Sequence, residues 1–207
     1  MSRALTPLAL FLLLSSFPAF LSAQEAPEIK VTNVRFDRVG NDWIVPTIQI
    51  EAGKNPSPDA RDRDFLDDVL FTIYVCFEVD APEGGNQYSF YRSTVRIISL
   101  ESSKRYSMKF YLPGVVRDRD DLKVDPFAWL IEMEAGGQKV APAADQAGGN
   151  IQVSPEGFAN FLSKANSEGA VNDGILLPIY LAPIFIVNES RPNLRDVPSF
   201  YRFEPDN

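Results

Sequence analysis

The alternation of hydrophobic and polar positions is clearest between Val69 and Val79, in the stretch VLFTIYVCFEV. One register is wholly apolar and contains Val69, Phe71, Ile73, Val75, Phe77 and Val79. The other register is mixed and contains Leu70, Thr72, Tyr74, Cys76 and Glu78. A period of two in β-branched and aromatic residues predicts a strand. Because one face is wholly apolar and the other carries both polar and apolar residues, we expect a central antiparallel strand with a second layer on its apolar face.

Further alternating runs predict six more strands, spaced by turns rich in Gly, Pro and Asp. They span residues 29–36, 43–52, 88–100, 105–112, 126–135 and 175–187. The first run slips phase near Asn33, which predicts a bulge or a crossing between sheets. Pro46 in the second run predicts an edge position or a bulge, and Pro178 and Pro183 place the last run at an edge.

After residue 150 the spacing of the apolar residues changes from every second position to the three-and-four spacing of a helix. Ser154 followed by Pro155 is a helix-start pattern, with a hydroxyl N-cap and a proline at the first helical position. The apolar residues that follow are spaced as one helical stripe, formed by Phe158, Phe161, Leu162 and Ala165. This pattern predicts a helix near 155–167. The segment before it, 138–150, is small and polar and is predicted to be a mobile loop.

These elements predict an all-β chain with one inserted helix, folded as an immunoglobulin-like two-sheet antiparallel β-sandwich of about seven strands. The Cys–Trp–Cys pattern of antibody domains is absent, so the match is to architecture. We expect a single domain over residues 24–207. The Pro-rich tail 188–207 retains Phe200, Tyr201 and Phe203, which predicts that it packs on the domain or on a partner.

Residues 1–23 have the pattern of a secretory signal peptide. Arg3 gives a positive n-region, 8–14 is an apolar run, and Ala23 offers a small residue before the cut. The alternative is a retained membrane anchor, but the run from 8 to 21 is interrupted and short for a span that needs about 20 residues. We therefore expect an exported protein, periplasmic or outer-membrane-associated, with no transmembrane span after cleavage.

The charge balance and the reactive residues narrow the classes of function. The net charge is −8, and it becomes −9 once the signal peptide with Arg3 is removed. Such an acidic protein repels phosphate backbones, so nucleic acid is not an expected partner. The chain has no histidine and one cysteine, Cys76, which excludes histidine-based nucleophile systems and ordinary zinc sites. We expect no enzyme activity and no cofactor, with Cys76 as a buried inert thiol.

Two acidic clusters are weak candidates for calcium. The residues concerned are Asp59, Asp62 and Asp64 in one loop, and Asp118 and Asp120 in another. Neither cluster has the glycine and terminal glutamate of a calcium-binding loop. Arginines interleave with both clusters, so the alternative is a pair of solvated loops whose charges pair on the surface.

Aromatic residues offer a different binding hypothesis. Trp43 stands at a strand start beside a turn and could stack on a sugar ring, together with Tyr88 and Tyr91. This pattern supports a carbohydrate-binding module as an alternative function. Trp129 shares a register with Phe127, Ile131 and Met133, which predicts that it lies in the core.

Three stretches together resemble a known group of proteins. They are Phe110 to Gly137 (FYLPGVVRDRDDLKVDPFAWLIEMEAGG), the helix beginning at Pro155, and Ile175 to Phe185 (ILLPIYLAPIF), followed by a short Pro-rich tail. This pattern is similar to exported Verrucomicrobial proteins of immunoglobulin-like fold. Those proteins are associated with a type IV pilus-like, secretin-containing gene cluster, and the resemblance carries no site residues over.

The signal peptide, the lack of reactive residues and the edge strands predict a non-enzymatic cell-envelope protein that acts through protein–protein interaction. The resemblance implies that it is an accessory or structural component of a type IV pilus-like assembly. Its expected partners are envelope or pilus-like assembly proteins, reached through strand edges or surface aromatics. The candidate binding residues are Trp43, Phe200, Tyr201 and Phe203.

Overall fold

The computed structural model describes residues 26–80 and 86–201, so the predicted signal peptide lies outside the described residues. Six long strands make up most of the two sheets: β1 (Ile29–Val39), β2 (Trp43–Ala52), β3 (Phe65–Asp80), β4 (Asn86–Glu101), β5 (Arg105–Tyr111) and β6 (Ala128–Ala135). Short strands complete the sheets: β7 (Gln138–Lys139), β8 (Ala147–Gly149), β9 (Leu177–Pro178) and β10 (Phe200–Tyr201). The helices are α1 (Gly114–Arg119), α2 (Pro155–Glu168) and α3 (Ile184–Glu189).

The strands form two antiparallel sheets, as the hydrophobic pattern predicts. One sheet has four strands in the order β1-β2-β5-β9. The other has the order β10-β4-β3-β6-β7, with β8 also paired to β6. The molecule is therefore an all-β, immunoglobulin-like sandwich with an inserted helix, and its fold class is the predicted one.

Strand β3 is the centre of the larger sheet, with β4 and β6 on its two sides. Its apolar register faces the smaller sheet, and Val69, Phe71 and Ile73 are fully buried there. The ring of Phe71 stacks on that of Phe110 from the opposite sheet, with centroids 6.1 Å apart. Burial of this apolar surface is the main force that holds the two sheets together.

The sequence predicts one irregularity near Asn33 and another at Pro46, and the structure agrees with the first but not with the second. The register between β1 and β2 shifts between Val31 and Asn33, which confirms the bulge. Pro46, predicted at an edge or a bulge, lies in a central strand between β1 and β5 and pairs in register with Phe36, so both alternatives are wrong. The β2–β5 pairing has a gap between Ile44 and Thr47, where a proline cannot donate to Phe110.

Helix α2 begins where predicted and covers the mixed face of the larger sheet. The Ser154 hydroxyl accepts the Gly157 N–H at 3.0 Å, as expected for an N-cap. Phe161 packs edge-on against Phe90 of β4, with ring centroids 5.7 Å apart. Ala165 lies in the same cluster, beside Cys76. The mixed register of β3 is therefore a second, smaller packing surface.

The segment 138–150 is not the loop that its composition predicts. It forms β7, a 3₁₀ turn at 144–146, and β8, which pairs with the start of β6. Gly148 lies flat on Trp129, since a Cβ at Gly148 would come within 2.6 Å of that ring. Gln146 is 3% exposed and donates to the Ala141 carbonyl at 3.2 Å. Packing against Trp129, which lies on β6, therefore orders a segment whose own sequence shows no strand or helix pattern.

The strand predicted over 175–187 is mostly wrong. Only Leu177 and Pro178 pair with β5, and the chain then turns into helix α3. Pro183 is the residue before α3, with the fixed φ that suits a helix start. The apolar run Ile184–Val187 is therefore split between a buried helical face and an exposed one.

No helix in the described ranges 26–80 and 86–201 is long and apolar enough to span a membrane.

Candidate interaction surface

Exposed apolar side chains lie on helix α3 and on the segments packed near it. Ile184 is 72% exposed and Phe185 56% exposed. The Phe185 ring packs edge-on against Trp43, which is half-buried, with centroids 6.4 Å apart. Val115 on α1 is 75% exposed. We call Trp43, Val115, Ile184 and Phe185 the α3 patch.

Close backbone packing brings the three segments of the α3 patch to one end of the sandwich. A Cβ at Gly114, the first residue of α1, would lie 1.9 Å from the carbonyl oxygen of Asn41, two residues before Trp43. A Cβ at Gly40 would meet the side chains of Ile186 and Glu189 on α3. The β1–β2 turn therefore lies between α1 and α3, and glycine at both contacts allows this approach.

The opposite side of α3 anchors it to the smaller sheet. Ile186 is fully buried, against Val45 of β2 and Tyr111 of β5. The buried Lys109 ammonium donates to the Ser190 carbonyl at 2.6 Å, at the C-terminal end of α3 where a cation is favourable. Burial lowers the pKa of Lys109, and nearby Arg35 lowers it further. These contacts fix α3 on the smaller sheet, while Ile184 and Phe185 face outward.

The aromatics proposed for sugar binding do not form an exposed platform. Trp43 is half-buried, and Tyr88 packs on Phe127 with ring centroids 4.7 Å apart. Tyr91 lies within β4, inside the predicted strand 88–100, and is 1% exposed. Its hydroxyl donates to the Asp120 carboxylate at 2.9 Å. Tyr91 is therefore a core residue and presents no surface to a sugar ring.

The acidic calcium candidates lie in two separate segments, one a loop and the other the end of helix α1, and three of them contact cations of the chain. Asp59, Asp62 and Asp64 are exposed, and Asp64 lies 3.2 Å from the Lys54 ammonium. In the second segment, which the sequence predicts as a loop, Asp118 lies within α1 and Asp120 at its C-cap; Asp118 contacts Arg117 at 2.8 Å and Asp120 contacts Arg119 at 2.6 Å. Within the described ranges, no three acidic, cysteine or histidine side chains converge as metal ligands would.

Neighbouring groups shift the pKa of Asp120. The Arg119 guanidinium lowers the pKa of Asp120, and the Tyr91 hydroxyl bond lowers it as well. The carboxylate is half-buried, so burial opposes both effects. Asp120 therefore serves as an ionised acceptor that links the α1 loop to β4.

The candidate residues of the tail separate into different environments. Phe200 is half-buried and packs on Tyr180, with ring centroids 5.6 Å apart. Tyr201 is 45% exposed, and the Arg96 guanidinium lies 5.4 Å from its ring centroid. Phe203 lies outside the described residues. The tail thus packs on its own domain at least as far as Tyr201.

Sequence reasoning identified Trp43 but missed its partners in the α3 patch. Ile184 and Phe185 lie in a run of four apolar residues, which the sequence analysis assigns to an edge strand. The signal that was available is Pro183, because a proline before a short apolar run also suits a helix start. Helical spacing would then place Ile184 and Ile186 on different faces.

Comparison with known proteins supports the architecture. No protein-family model matches the chain, and no curated protein matches it. Among solved structures, the chain is similar to a crystal structure of a protein from Akkermansia muciniphila, with a TM-score of 0.58 and 13% sequence identity. The match covers 85% of this chain and 95% of that one. At this identity the likeness shows a shared fold.

Proposed function

We propose that this protein is an exported, non-enzymatic component of the cell envelope that acts through protein–protein interaction. Its most specific role would be an accessory or structural component of a type IV pilus-like assembly. The observation that carries the proposal is the α3 patch, in which Val115, Ile184 and Phe185 are each more than half exposed. Exposed apolar side chains grouped on a folded surface are typical of a protein-binding site.

Two further features support an envelope role. The sequence resembles exported Verrucomicrobial proteins associated with a pilus-like gene cluster, and residues 1–23 have the pattern of a signal peptide. The structural neighbour also comes from a verrucomicrobial bacterium, which is consistent with that resemblance at the level of fold. The absence of histidine and the raised pKa of the buried Cys76 thiol favour binding over catalysis.

The proposal is tested by capture from an envelope extract. The mature chain, tagged at its N-terminus and cross-linked in intact cells, should recover a secretin or another pilus-assembly component. The double variant Ile184→Asp with Phe185→Asp should lose at least about tenfold of that recovery, since about 1.4 kcal/mol of lost binding energy has this effect.

The matched control is Val171→Asp, because Val171 is 84% exposed but lies in the 3₁₀ turn at 169–172, outside the α3 patch. This control should recover the same partners as the wild type. Recovery of no pilus-assembly component by the wild type would contradict the assignment to that machinery. Equal recovery by the α3-patch variant would contradict the assignment of the surface.

A further inference from the structure

The segment at residues 172–175, between the 3₁₀ turn at 169–172 and β9, is a type II β-turn. The hydrogen bond that closes it runs from the Ile175 N–H to the Asn172 carbonyl at 3.2 Å. Asp173 has φ −59° and ψ 136°, and Gly174 has φ +78°. These are the angles of the two central residues of a type II turn, in which the second central residue has a positive φ and is usually glycine.

These two central residues are the one Asp–Gly pair in the sequence, which contains no Asn–Gly pair. A backbone nitrogen that follows aspartate can attack the side-chain carboxyl carbon, and glycine crowds this nitrogen least because it has no Cβ. The Asp173 side chain is 46% exposed, and a Cβ at Gly174 would meet nothing within 4 Å. Solvent and open space are therefore available at this peptide bond.

The reaction that such a pair undergoes involves no reagent other than water. The Gly174 nitrogen forms a bond to Cγ of Asp173, and one carboxylate oxygen leaves as water with the amide hydrogen and a proton from solvent. The product is a cyclic succinimide. Water then opens the ring. Cleavage of the new bond to Cγ restores aspartate, whereas cleavage of the original peptide bond leaves the chain joined through Cγ as isoaspartate.

Arg92 of β4 holds the reacting carboxylate in place in the folded protein. Its Nε and Nη2 groups donate to the two carboxylate oxygens of Asp173, each at 2.6 Å. Its Nη1 group donates to the side-chain oxygen of Asn166 on α2 at 2.9 Å, so the guanidinium is itself held from a second element. Planar, bidentate pairing restricts both the position and the orientation of a carboxylate.

The backbone of the turn also opposes ring closure. At ψ 136° the Gly174 nitrogen is directed away from the Asp173 side chain, so attack on Cγ requires a large rotation about ψ. The Asn172 side chain, 8% exposed, resists this rotation because its amide donates to the Phe90 carbonyl of β4 at 2.9 Å. Contacts between the turn and β4 thus keep the reacting atoms apart.

We propose that Asp173–Gly174 is a site of spontaneous modification, at which isoaspartate forms, and that Arg92 controls the rate in the folded protein. The modification adds Cβ and Cγ of Asp173 to the main chain, which is incompatible with the type II turn. Strand β9 begins three residues after Gly174, so its short pairing with β5 should weaken in the modified chain. The inference requires no partner and is independent of the proposed function.

The experiment compares the mature wild-type chain with Arg92→Ala during several weeks at neutral pH and body temperature. Isoaspartate is quantified by enzymatic methylation of its carboxylate and located by peptide mapping. In the folded state Arg92→Ala should form isoaspartate at Asp173 at least about threefold faster, which is the size of effect expected when a partly exposed ion pair is removed. In concentrated guanidinium chloride, which removes the fold, the two chains should react at the same rate.

Matched variants separate the contact of Arg92 from a general loosening of the structure. Arg96→Ala removes another arginine of β4, which makes the same kind of bidentate pair with Asp68, and it should leave the rate at Asp173 unchanged. Ser154→Ala removes the N-cap hydrogen bond of α2 and should also leave it unchanged. Arg92→Lys keeps the charge without the planar pair of donors, and its rate should lie between those of the wild type and Arg92→Ala.

A further variant tests the site itself. In guanidinium chloride, Gly174→Ala should form much less isoaspartate than the wild type, because a Cβ next to the attacking nitrogen hinders ring closure. Equal formation in these two chains, or isoaspartate that maps to another residue, would overturn the assignment of the site.

Two results would overturn the role of Arg92: equal rates in folded wild type and folded Arg92→Ala, or the same acceleration in Arg96→Ala or Ser154→Ala. Neither result bears on capture through the α3 patch, which does not contain Asp173. Failure of this inference is therefore distinguishable from failure of the proposed function.

Discussion

At the scale of single residues, burial suppresses the ionisation and reactivity of a side chain, and Cys76 is the clearest case. Cys76 is 2% exposed, between β3 and helix α2, and burial raises its pKa to about 12. A thiol in this state is neither ionised nor accessible at neutral pH, so it behaves as a small apolar side chain. The sequence position of Cys76, in the middle of an apolar strand, already predicted this role.

The first prediction concerns the reactivity of that thiol. At pH 8 the native protein should react negligibly with a disulfide reagent over minutes, because the thiolate is the reacting species. In concentrated urea one thiol per chain should react fully. Absorbance of the released thiolate measures both. Rapid reaction of one equivalent in the native state would contradict the burial of Cys76.

A second prediction follows from Tyr91. Burial raises its pKa to about 12 from 10, and the hydrogen bond to Asp120 also favours the protonated form. A raised pKa means that the folded state prefers the neutral hydroxyl, so the associated stability is complete below pH 10 and is lost as the pH rises toward 12. The free energy of unfolding should therefore decrease above pH 10.

Urea denaturation at pH 8, 10 and 11 checks this prediction. The decrease should be smaller in Tyr91→Phe, which has no hydroxyl to ionise. At pH 8 that variant should lose about 1 kcal/mol with the hydrogen bond to Asp120. The control is Tyr201→Phe, since Tyr201 is 45% exposed. Identical pH profiles for the wild type and Tyr91→Phe would contradict the explanation.

At the scale of elements, helix α2 is a case in which the residues of the element itself determine where it forms. Its start depends on Ser154 and Pro155, and its buried stripe depends on residues three and four apart. Each of these signals lies within one or two helical turns. The predicted and observed bounds of α2 agree within one residue for that reason.

The third prediction tests this local signal. Ser154→Ala should reduce the free energy of unfolding by about 1 kcal/mol, because the N–H of Gly157 loses its acceptor. Ser163→Ala is the matched control on the exposed part of the same helix, and it should leave stability within about 0.5 kcal/mol of the wild type. Urea denaturation followed by circular dichroism measures both variants.

Helix α3 illustrates the opposite case, in which local sequence was misleading. Four consecutive apolar residues carry no clear period, and they suit a buried strand as well as a short helix. The difference arises from the surroundings: Ile186 meets Tyr111 and Val45, whereas nothing in the described chain covers Ile184.

The fourth prediction uses this asymmetry. Ile186→Asp should destabilise the protein by at least about 3 kcal/mol, because it buries an unpaired charge. Ile184→Asp, two residues away on the same helix, should change stability by less than about 0.5 kcal/mol. Thermal unfolding distinguishes the two. Similar losses in both variants would indicate that Ile184 is also packed, which would remove it from the α3 patch.

At the scale of the whole molecule, the two sheets share one interior. Phe71 and Phe110 stack across it, and a single cluster of buried residues includes members of both sheets. Cooperative unfolding is expected when neither sheet can bury its apolar face alone. The predicted single domain over 24–207 therefore has a direct physical test.

The fifth prediction uses the two tryptophans as separate probes, since Trp43 lies on β2 in the smaller sheet and Trp129 on β6 in the larger. In Trp43→Phe the fluorescence change reports the larger sheet, and in Trp129→Phe it reports the smaller one. In each variant, the fluorescence transition in urea should coincide with the loss of circular dichroism. Transitions separated within one variant would show that the sheets unfold independently.

What the sequence determined by itself is the class of fold and its local signals. The period of two in β3, the phase slip near Asn33 and the cap at Ser154 each depend on a few neighbouring residues, and each appears as predicted. Local stereochemistry and side-chain alternation are enough to specify them.

Only the tertiary structure decided which surfaces remain open. Tyr91 is buried because Asp120 and the inter-sheet core reach it, and Ile184 is exposed because α3 buries its other side. Likewise, Arg92 reaches Asp173 because β4 lies beside the turn at 172–175. These outcomes depend on contacts between segments far apart in the chain, and no short stretch of sequence contains both partners.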